Sequence, residues 1–431
     1  MFSLVATLLA LVVSRAPTAL PPQASSADAA VAATIRSAPF TAAVDALSRD
    51  FDRHLQETIQ LTEIPSPPFK EAARAKVFME MLKATGLSDV AMDTEGNVTG
   101  IRRGTGAPGG PMIAFAAHLD TVFPEGTNVK VRREGTKLFA PGVGDDTRSL
   151  AVLLAFVRAL NAAKVTTTMD ILFVGNVGEE GLGDLRGTKF LFTKSAYKDR
   201  ITMFISADGT APGNEIVANA VGSKRYRVTF TGPGGHSYQA FGLVNPAFAM
   251  GQAMAKIGAL KVPASPKTTF NVGVVGGGTS VNSIPDSVWM EVDMRSESKA
   301  ELDKVEAAMK QIVADAVTAE NAARSTKAGR ITADLKLVGD RPTGSTANDS
   351  RIVSIASASV RAFGLTPVVT ASSTDSNVPI SLGIPAITLD AGGTTDRKHA
   401  LEEWIDLEKT SSLRGMQMML ATLLTLAGIQ V

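Results

Sequence analysis

Cysteine is absent from the 431-residue chain, which excludes disulfides, iron–sulfur clusters and thiolate zinc sites together. Any metal ion must therefore be held by His, Asp or Glu. Histidine is nearly as scarce, with only His54, His118, His236 and His399 present. Aromatic residues make up 5% of the chain, which argues against an aromatic-lined binding face. An excess of charge is lacking too. The formal net charge is +1, so no basic footprint points to nucleic acid.

A hydrophobic run long enough to cross a bilayer is also missing at the N-terminus. The apolar run from Leu4 to Val13 is about half of the roughly 20 residues a span requires. Arg15 and small residues through Ala30 follow it. Residues 1–30 are therefore expected to be a cleaved signal peptide and linker, although Met-Phe-Ser lacks the usual basic start. The mature protein would be exported, periplasmic or secreted, without a stable membrane anchor. Without a working signal it would be cytoplasmic.

What is present is an ordinary globular composition, 45% hydrophobic and 20% charged, with 38 glycines. The length predicts roughly two or three folded units. Residues 14–40 are rich in Ala, Ser and Pro and read as a linker. Helical patterns follow over 42–63 and 71–85, separated by the turn Pro65-Ser-Pro-Pro68. Short continuous apolar runs come next: Met112–Ala117, Met169–Gly175, Met203–Ser206 and Ala386–Leu389. Such runs, bounded by turn residues, read as strands buried on both faces of a largely parallel sheet covered by helices. Residues 221–338 have a different texture. Gly222–Phe230, Ser287–Arg295 and Ile331–Leu337 alternate polar with apolar residues around a long amphipathic helix over 302–317. That predicts an inserted α+β domain with one wet sheet face, between catalytic-domain parts at 42–220 and 339–431.

The candidate chemistry follows the buried runs. Met112–Ala117 leads into His118-Leu-Asp120, and Met169–Gly175 leads into Glu179-Glu180. Met203–Ser206 leads into Asp208, and Ala386–Leu389 leads through a glycine turn to His399. Carboxyl ends of parallel strands share one rim, where ligands bind. Each signal alone has a plain alternative. Asp120 could orient His118 or lie on the surface. Asp145-Asp146 could cap the helix that follows, or bridge two cations. Glu179-Glu180 could be a solvated acidic loop, or one metal ligand beside one proton carrier. Gly276-Gly-Gly-Thr-Ser lacks the Lys-Ser/Thr pair of a phosphate loop.

These residues stand in motifs that run in order from about Asp50 to the C-terminus. They are Ala117-His-Leu-Asp-Thr-Val122, Gly144-Asp-Asp146, Gly178-Glu-Glu-Gly181, Ser206-Ala-Asp208, Gly235-His-Ser237, Asn282-Ser-Ile-Pro285, Asp293-Met-Arg295 and His399. In them the chain resembles the co-catalytic zinc exopeptidases, a family that includes peptidase T, glutamate carboxypeptidase, aminoacylase and succinyl-diaminopimelate desuccinylase.

The resemblance implies two Zn²⁺ per chain, with Co²⁺ or Mn²⁺ as substitutes. His118 and Asp208 would hold one ion, Glu180 and His399 the other, and Asp145 would bridge them. Asp145 is preferred to Asp146 because Ser149-Leu150 then falls in the family's register. A hydroxide shared by the ions would attack the amide, with Glu179 as general acid/base. Asp120 would orient His118. The insert would act as a lid and form a homodimer, with His236 stabilising the oxyanion in the partner's site. Asn282 and Arg295 would contact a short peptide or an N-acyl amino acid. A deacylase of the same family is the alternative to a peptidase. A non-catalytic relative is disfavoured because the whole residue set is present. His54 matches no motif and reads as a helix-surface residue. Two departures stand out: Asp146-Thr-Arg-Ser149 replaces the usual Lys-Gly continuation, and Ser372-Ser-Thr-Asp375 replaces Gly-Gly-Thr-Asp.

Overall fold

The computed structural model describes residues 25–209 and 213–430. Of the expected signal peptide and linker over residues 1–30, residues 1–24 lie outside the described residues. The expected linker differs from the structure, because helices Ser26–Arg36 and Ala38–Arg49 occupy its second half. Capping explains the difference. Ser25 Oγ accepts from the Asp28 N–H, and the Asp28 carboxylate accepts from the Ser25 N–H. Ser37 caps the second helix, whose first turn carries Pro39. An alanine-rich segment that resembles a linker by composition is a good helix former once capped, and Val31 and Ala43 are fully buried. The helical pattern over 42–63 is broken at Asp50, which ends one helix and starts Phe51–Thr62.

A nine-stranded mixed sheet forms the main core. At its centre, strands Asp170–Asn176, Met112–His118, Ile201–Ala207 and Ala386–Leu389 lie side by side and parallel. Antiparallel pairings flank them, through Val98–Arg102 on one side and Glu215–Ala220 on the other. Every residue of Met112–His118 is buried. Ile113, Phe115 and Ala117 enter one hydrophobic core, while Met112, Ala114 and Ala116 enter the core on the opposite face. Both faces are covered, so the strand reads as a continuous apolar run. Helix Arg148–Ala162 covers one face, and its Phe156 stacks on Phe115 at 5.7 Å between ring centroids.

A second sheet is antiparallel, in the order Thr268–Gly277, Ser287–Ser296, Gly222–Thr231, Thr332–Arg341. Burial alternates along Ser287–Ser296. Helices Pro246–Gly258 and Lys299–Ala323 cover the buried face, where Val228, Met290, Val292 and Met309 meet. The second of these helices starts earlier than its apolar pattern because Ser298 caps it, accepting from the Glu301 N–H. The last strand runs to Arg341, beyond residue 338, before Gly344–Ser345 rejoins the main sheet. A small sheet of Thr394–Asp396, Trp404–Asp406, Lys137–Phe139 and Arg132–Glu134 ties the His399 loop to the segment before Asp145.

Candidate metal centre

The central parallel strands end on one rim, and the candidate ligands sit there. His118 is the last residue of its strand, and Asp208 directly follows Ile201–Ala207. Glu179 and Glu180 follow Asp170–Asn176 after a turn at Gly178, whose φ of 71° suits glycine. Asp145 lies in the turn Val143–Thr147, just before helix Arg148–Ala162. His399 reaches the rim from the small sheet, after strand Thr394–Asp396.

Among the described residues, three groups of donor atoms lie close enough to hold a cation: His118–Asp145–Asp208, His118–Glu179–Glu180 and Asp145–Glu180–His399, each with its atoms within 4.8 Å of one another. The first and third share Asp145. His118 Nε2 is 3.0 Å from Asp145 Oδ1, and His399 Nε2 is 3.4 Å from Asp145 Oδ2 and 3.2 Å from Glu180 Oε1. Asp146 turns the other way, accepting the His118 backbone N–H at 3.1 Å. Of the two adjacent aspartates, Asp145 therefore faces both histidines. Imidazole and carboxylate oxygens without thiolates suit zinc, cobalt or manganese. The field of the site also favours cations. Contacts with Asp145 and Glu180 push His399 up to about 10. Burial would lower His118, yet Asp146, Asp145 and Asp120 hold it well above its usual range.

Groups around the donors hold them in place. The carboxylate of Asp120 does not orient His118, since its Oδ1 is 3.8 Å from His118 Nδ1. The backbone carbonyl of Asp120 does so instead, at 3.0 Å. The Asp120 carboxylate accepts the N–H groups of Glu179 and Glu180 at 3.0 and 2.8 Å, fixing the acid loop. The buried carboxylate of Glu403 accepts the N–H groups of Gly142, Gly144 and Asp145 at 2.8, 2.8 and 3.0 Å. It thereby fastens the turn that presents Asp145. Burial, and then Asp145, push Glu403 up to about 7. Asp375, from the altered Ser-Ser-Thr-Asp segment, is buried and accepts from Asn176 Nδ2 at 2.6 Å and from Thr188 Oγ1.

Arg341 was not legible in the sequence, where it matches no motif and lies beyond the insert expected to end at 338. Its Nη1 donates to Glu179 Oε1 at 3.0 Å and to Ser373 Oγ at 3.1 Å, and its Nη2 donates to the Glu179 carbonyl. Both partners of this ion pair are buried. Arg225, on the neighbouring strand of the insert, donates to the Gly181 carbonyl. Two insert arginines thus grip the acid loop from one side.

Asp145, Glu179, Glu180, Asp208 and His399 face a cavity of about 980 Å³ that Arg225, Arg295 and Arg341 also line. Asp293 bridges the Nε groups of Arg225 and Arg295 at 2.9 and 2.7 Å, which sets the guanidinium planes. His236 and Asn282 are not brought to this cavity within the chain. Both are exposed on a ribbon in which Gly235–His236 pairs with Ser283–Ile284. His236 Nδ1 accepts from the Tyr238 N–H at 3.2 Å. His54 is not a surface residue. It is fully buried, because its face of helix Phe51–Thr62 turns inward, and its Nδ1 accepts from Arg148 Nη1 at 2.8 Å. Burial, then the charges of Arg148 and Arg158, push its pKa down to about 2.

Residues 114–425 match the model of peptidase family M20/M25/M40. The chain is 26% identical over 377 residues to YqjE of Bacillus subtilis, covering 82% of this chain and 95% of that protein. It is 25% identical over 256 residues to succinyl-diaminopimelate desuccinylase of Burkholderia cenocepacia, covering 55% of this chain and 67% of the relative. Its fold is similar to that of the aminopeptidase PepT of Bacillus cereus, with a TM-score of 0.67 at 22% identity, covering 87% of this chain and 98% of that one.

Proposed function

The chain belongs to peptidase family M20/M25/M40 and hydrolyses amide bonds, and on that premise we propose that it is a two-metal exopeptidase acting on short peptides. The observation that carries this reading is the sharing of Asp145 by two donor groups, one completed by His118 and Asp208, the other by Glu180 and His399. His118 and Asp208 would hold one Zn²⁺ and Glu180 and His399 the other, with Co²⁺ or Mn²⁺ as substitutes. When bound, such ions polarise the scissile carbonyl and lower the pKa of water towards about 7.

The chain's own groups supply the rest. Glu179 would carry the proton from water to the leaving nitrogen. Its Oε1 is held by Arg341, which leaves Oε2 for the proton. Arg295 would bind a substrate carboxylate with its guanidinium fork, the Nε being committed to Asp293. His236 and Asn282 would act in the site of a second copy, His236 on the oxyanion. A homodimer through the insert is supported by exposed Tyr238, Phe241 and Val281 beside these two residues. Export remains our proposal for the N-terminal segment. Deacylation of an N-acyl amino acid is the second reading. It is favoured by the likeness to the desuccinylase and by the arginines facing the cavity.

The test is a metal-stripped preparation refilled with Zn²⁺, Co²⁺ or Mn²⁺ and screened over dipeptides, tripeptides and N-acyl amino acids. Turnover should vanish on stripping and return on refilling. Full activity in chelator would overturn the reading, and cleavage of acyl amino acids alone would select the deacylase.

A further inference from the structure

Lys398 is a cation of the chain's own, placed on the shared Asp145 and on Asp208, which belongs to only one of the two donor groups that share Asp145. Its Nζ is 3.6 Å from Asp145 Oδ2 and 3.6 Å from Asp208 Oδ1. Those two carboxylates, with His118, form one donor group; the other group shares only Asp145 with the lysine. The loop geometry fixes this placement, since Arg397 and His399 on either side both have φ near +60° (59° and 64°). The neighbouring Arg397 is engaged elsewhere, with Glu402 at 3.2 Å. The Lys398 side chain is about one-third exposed (35%) and lines the cavity, so its flexible stem has room to swing towards solvent.

We propose that Lys398 makes the two metal positions unequal, weakening cation binding at His118–Asp145–Asp208 relative to Asp145–Glu180–His399. The inference rests on the two-metal reading above. The physical reason is competition at Asp208, which only the first group uses; at Asp145 the ammonium faces Oδ2, the oxygen that His399 also faces. An ammonium near Asp145 and Asp208 offsets their mutual repulsion when no other cation is there. A divalent ion arriving at that group must displace the ammonium or bind beside a like charge. At Glu180 and His399 no lysine or arginine stands in that relation among the described contacts. Loading should therefore be sequential, with the Glu180–His399 half filling first.

Calorimetric titration of Zn²⁺ into the metal-stripped full chain tests this, with wild type, Lys398→Met and Lys398→Arg compared at fixed ionic strength. Two unequal affinities are expected in wild type. Lys398→Met should tighten the weaker one by about tenfold or more and leave the tighter one within about threefold. Lys398→Arg, which keeps the charge, should stay near wild type. A weaker affinity unchanged in Lys398→Met, with two ions still bound, overturns the role of Lys398 while leaving the two-metal reading intact. Equal tightening by Lys398→Arg overturns it as well, since steric relief would then be the cause. Failure of wild type to bind a second ion overturns both the inference and the reading beneath it. Because Lys398 is partly exposed, circular dichroism of each variant should match wild type.

Discussion

The rim of the main sheet and the ribbon of the insert contribute to one proposed reaction in opposite ways. At the rim, His118, Asp120, Asp145, Glu179 and Glu180 are buried, and each is held by partners from distant segments. On the ribbon, His236 and Asn282 are exposed, and their described side-chain contacts are local, with Tyr238, Gln239 and Ser280. A buried carboxylate must be paired or it protonates, so the rim carries a dense supporting network. An exposed histidine has no such requirement. The rim is thus held by its own network before substrate arrives, whereas on our proposal the ribbon acquires its function on meeting a second copy.

The sharpest way to break this comparison is to disable each region in turn. Glu179→Gln should lower turnover by about 10²–10⁴-fold, the range for a general acid/base, with metal content unchanged. Gln keeps an acceptor for Arg341, which also retains the Glu179 carbonyl and Ser373 Oγ, and circular dichroism should confirm the fold. His236→Ala should also be inactive, and mixing the two variants should restore partial activity once subunits exchange. No recovery despite proven exchange would place His236 in its own subunit or outside the reaction.

A second test asks whether the insert holds the rim. Arg341→Met leaves Glu179 buried without its partner and should cost about 3–5 kcal/mol of stability by urea unfolding. Adding Glu179→Gln should recover much of that loss. A cost below about 1 kcal/mol would mean that the ion pair does not couple the two regions. Smaller still is the expected effect of Glu403→Ala, about 10–100-fold in metal affinity, read by chelator competition.

A separate test, of stability rather than of the site, concerns His54, which is buried. Its pKa is depressed from 6.5 to about 2, so the unfolded chain binds a proton below pH 6.5 that the folded chain refuses. The stability this neutral ring contributes is present above pH 6.5 and is lost as pH falls. The slope is about 1.4 kcal/mol per pH unit. His54→Gln should remove that share of the decline between pH 6.5 and 4, measured as the difference in unfolding free energy from wild type.

Parts of this arrangement were legible in the sequence for identifiable reasons. His118 and Asp208 end buried apolar runs, and a run that ends in a candidate ligand is a local pattern. The antiparallel texture of the insert was legible because alternation is also local. His54 misled because a lone histidine on a helix carries no sign of which face turns inward. Residues 25–40 misled because alanine and serine serve both linkers and capped helices. Asp120 kept its position on the rim, where its backbone carbonyl rather than its carboxylate holds the imidazole and its carboxylate supports the acid loop.

The sequence by itself determined the family, the order of the donors and the absence of any sulfur ligand. These follow from residue identity and from spacing along one strand or turn. Only the tertiary structure decided that Asp145 rather than Asp146 faces both histidines. It also brought Glu403 under Gly142 and Gly144, Arg341 onto Glu179, and Lys398 between Asp145 and Asp208. Each of these contacts joins segments far apart in the chain. Their distance depends on how the sheet, the insert and the small closing sheet pack, and no local spacing encodes it.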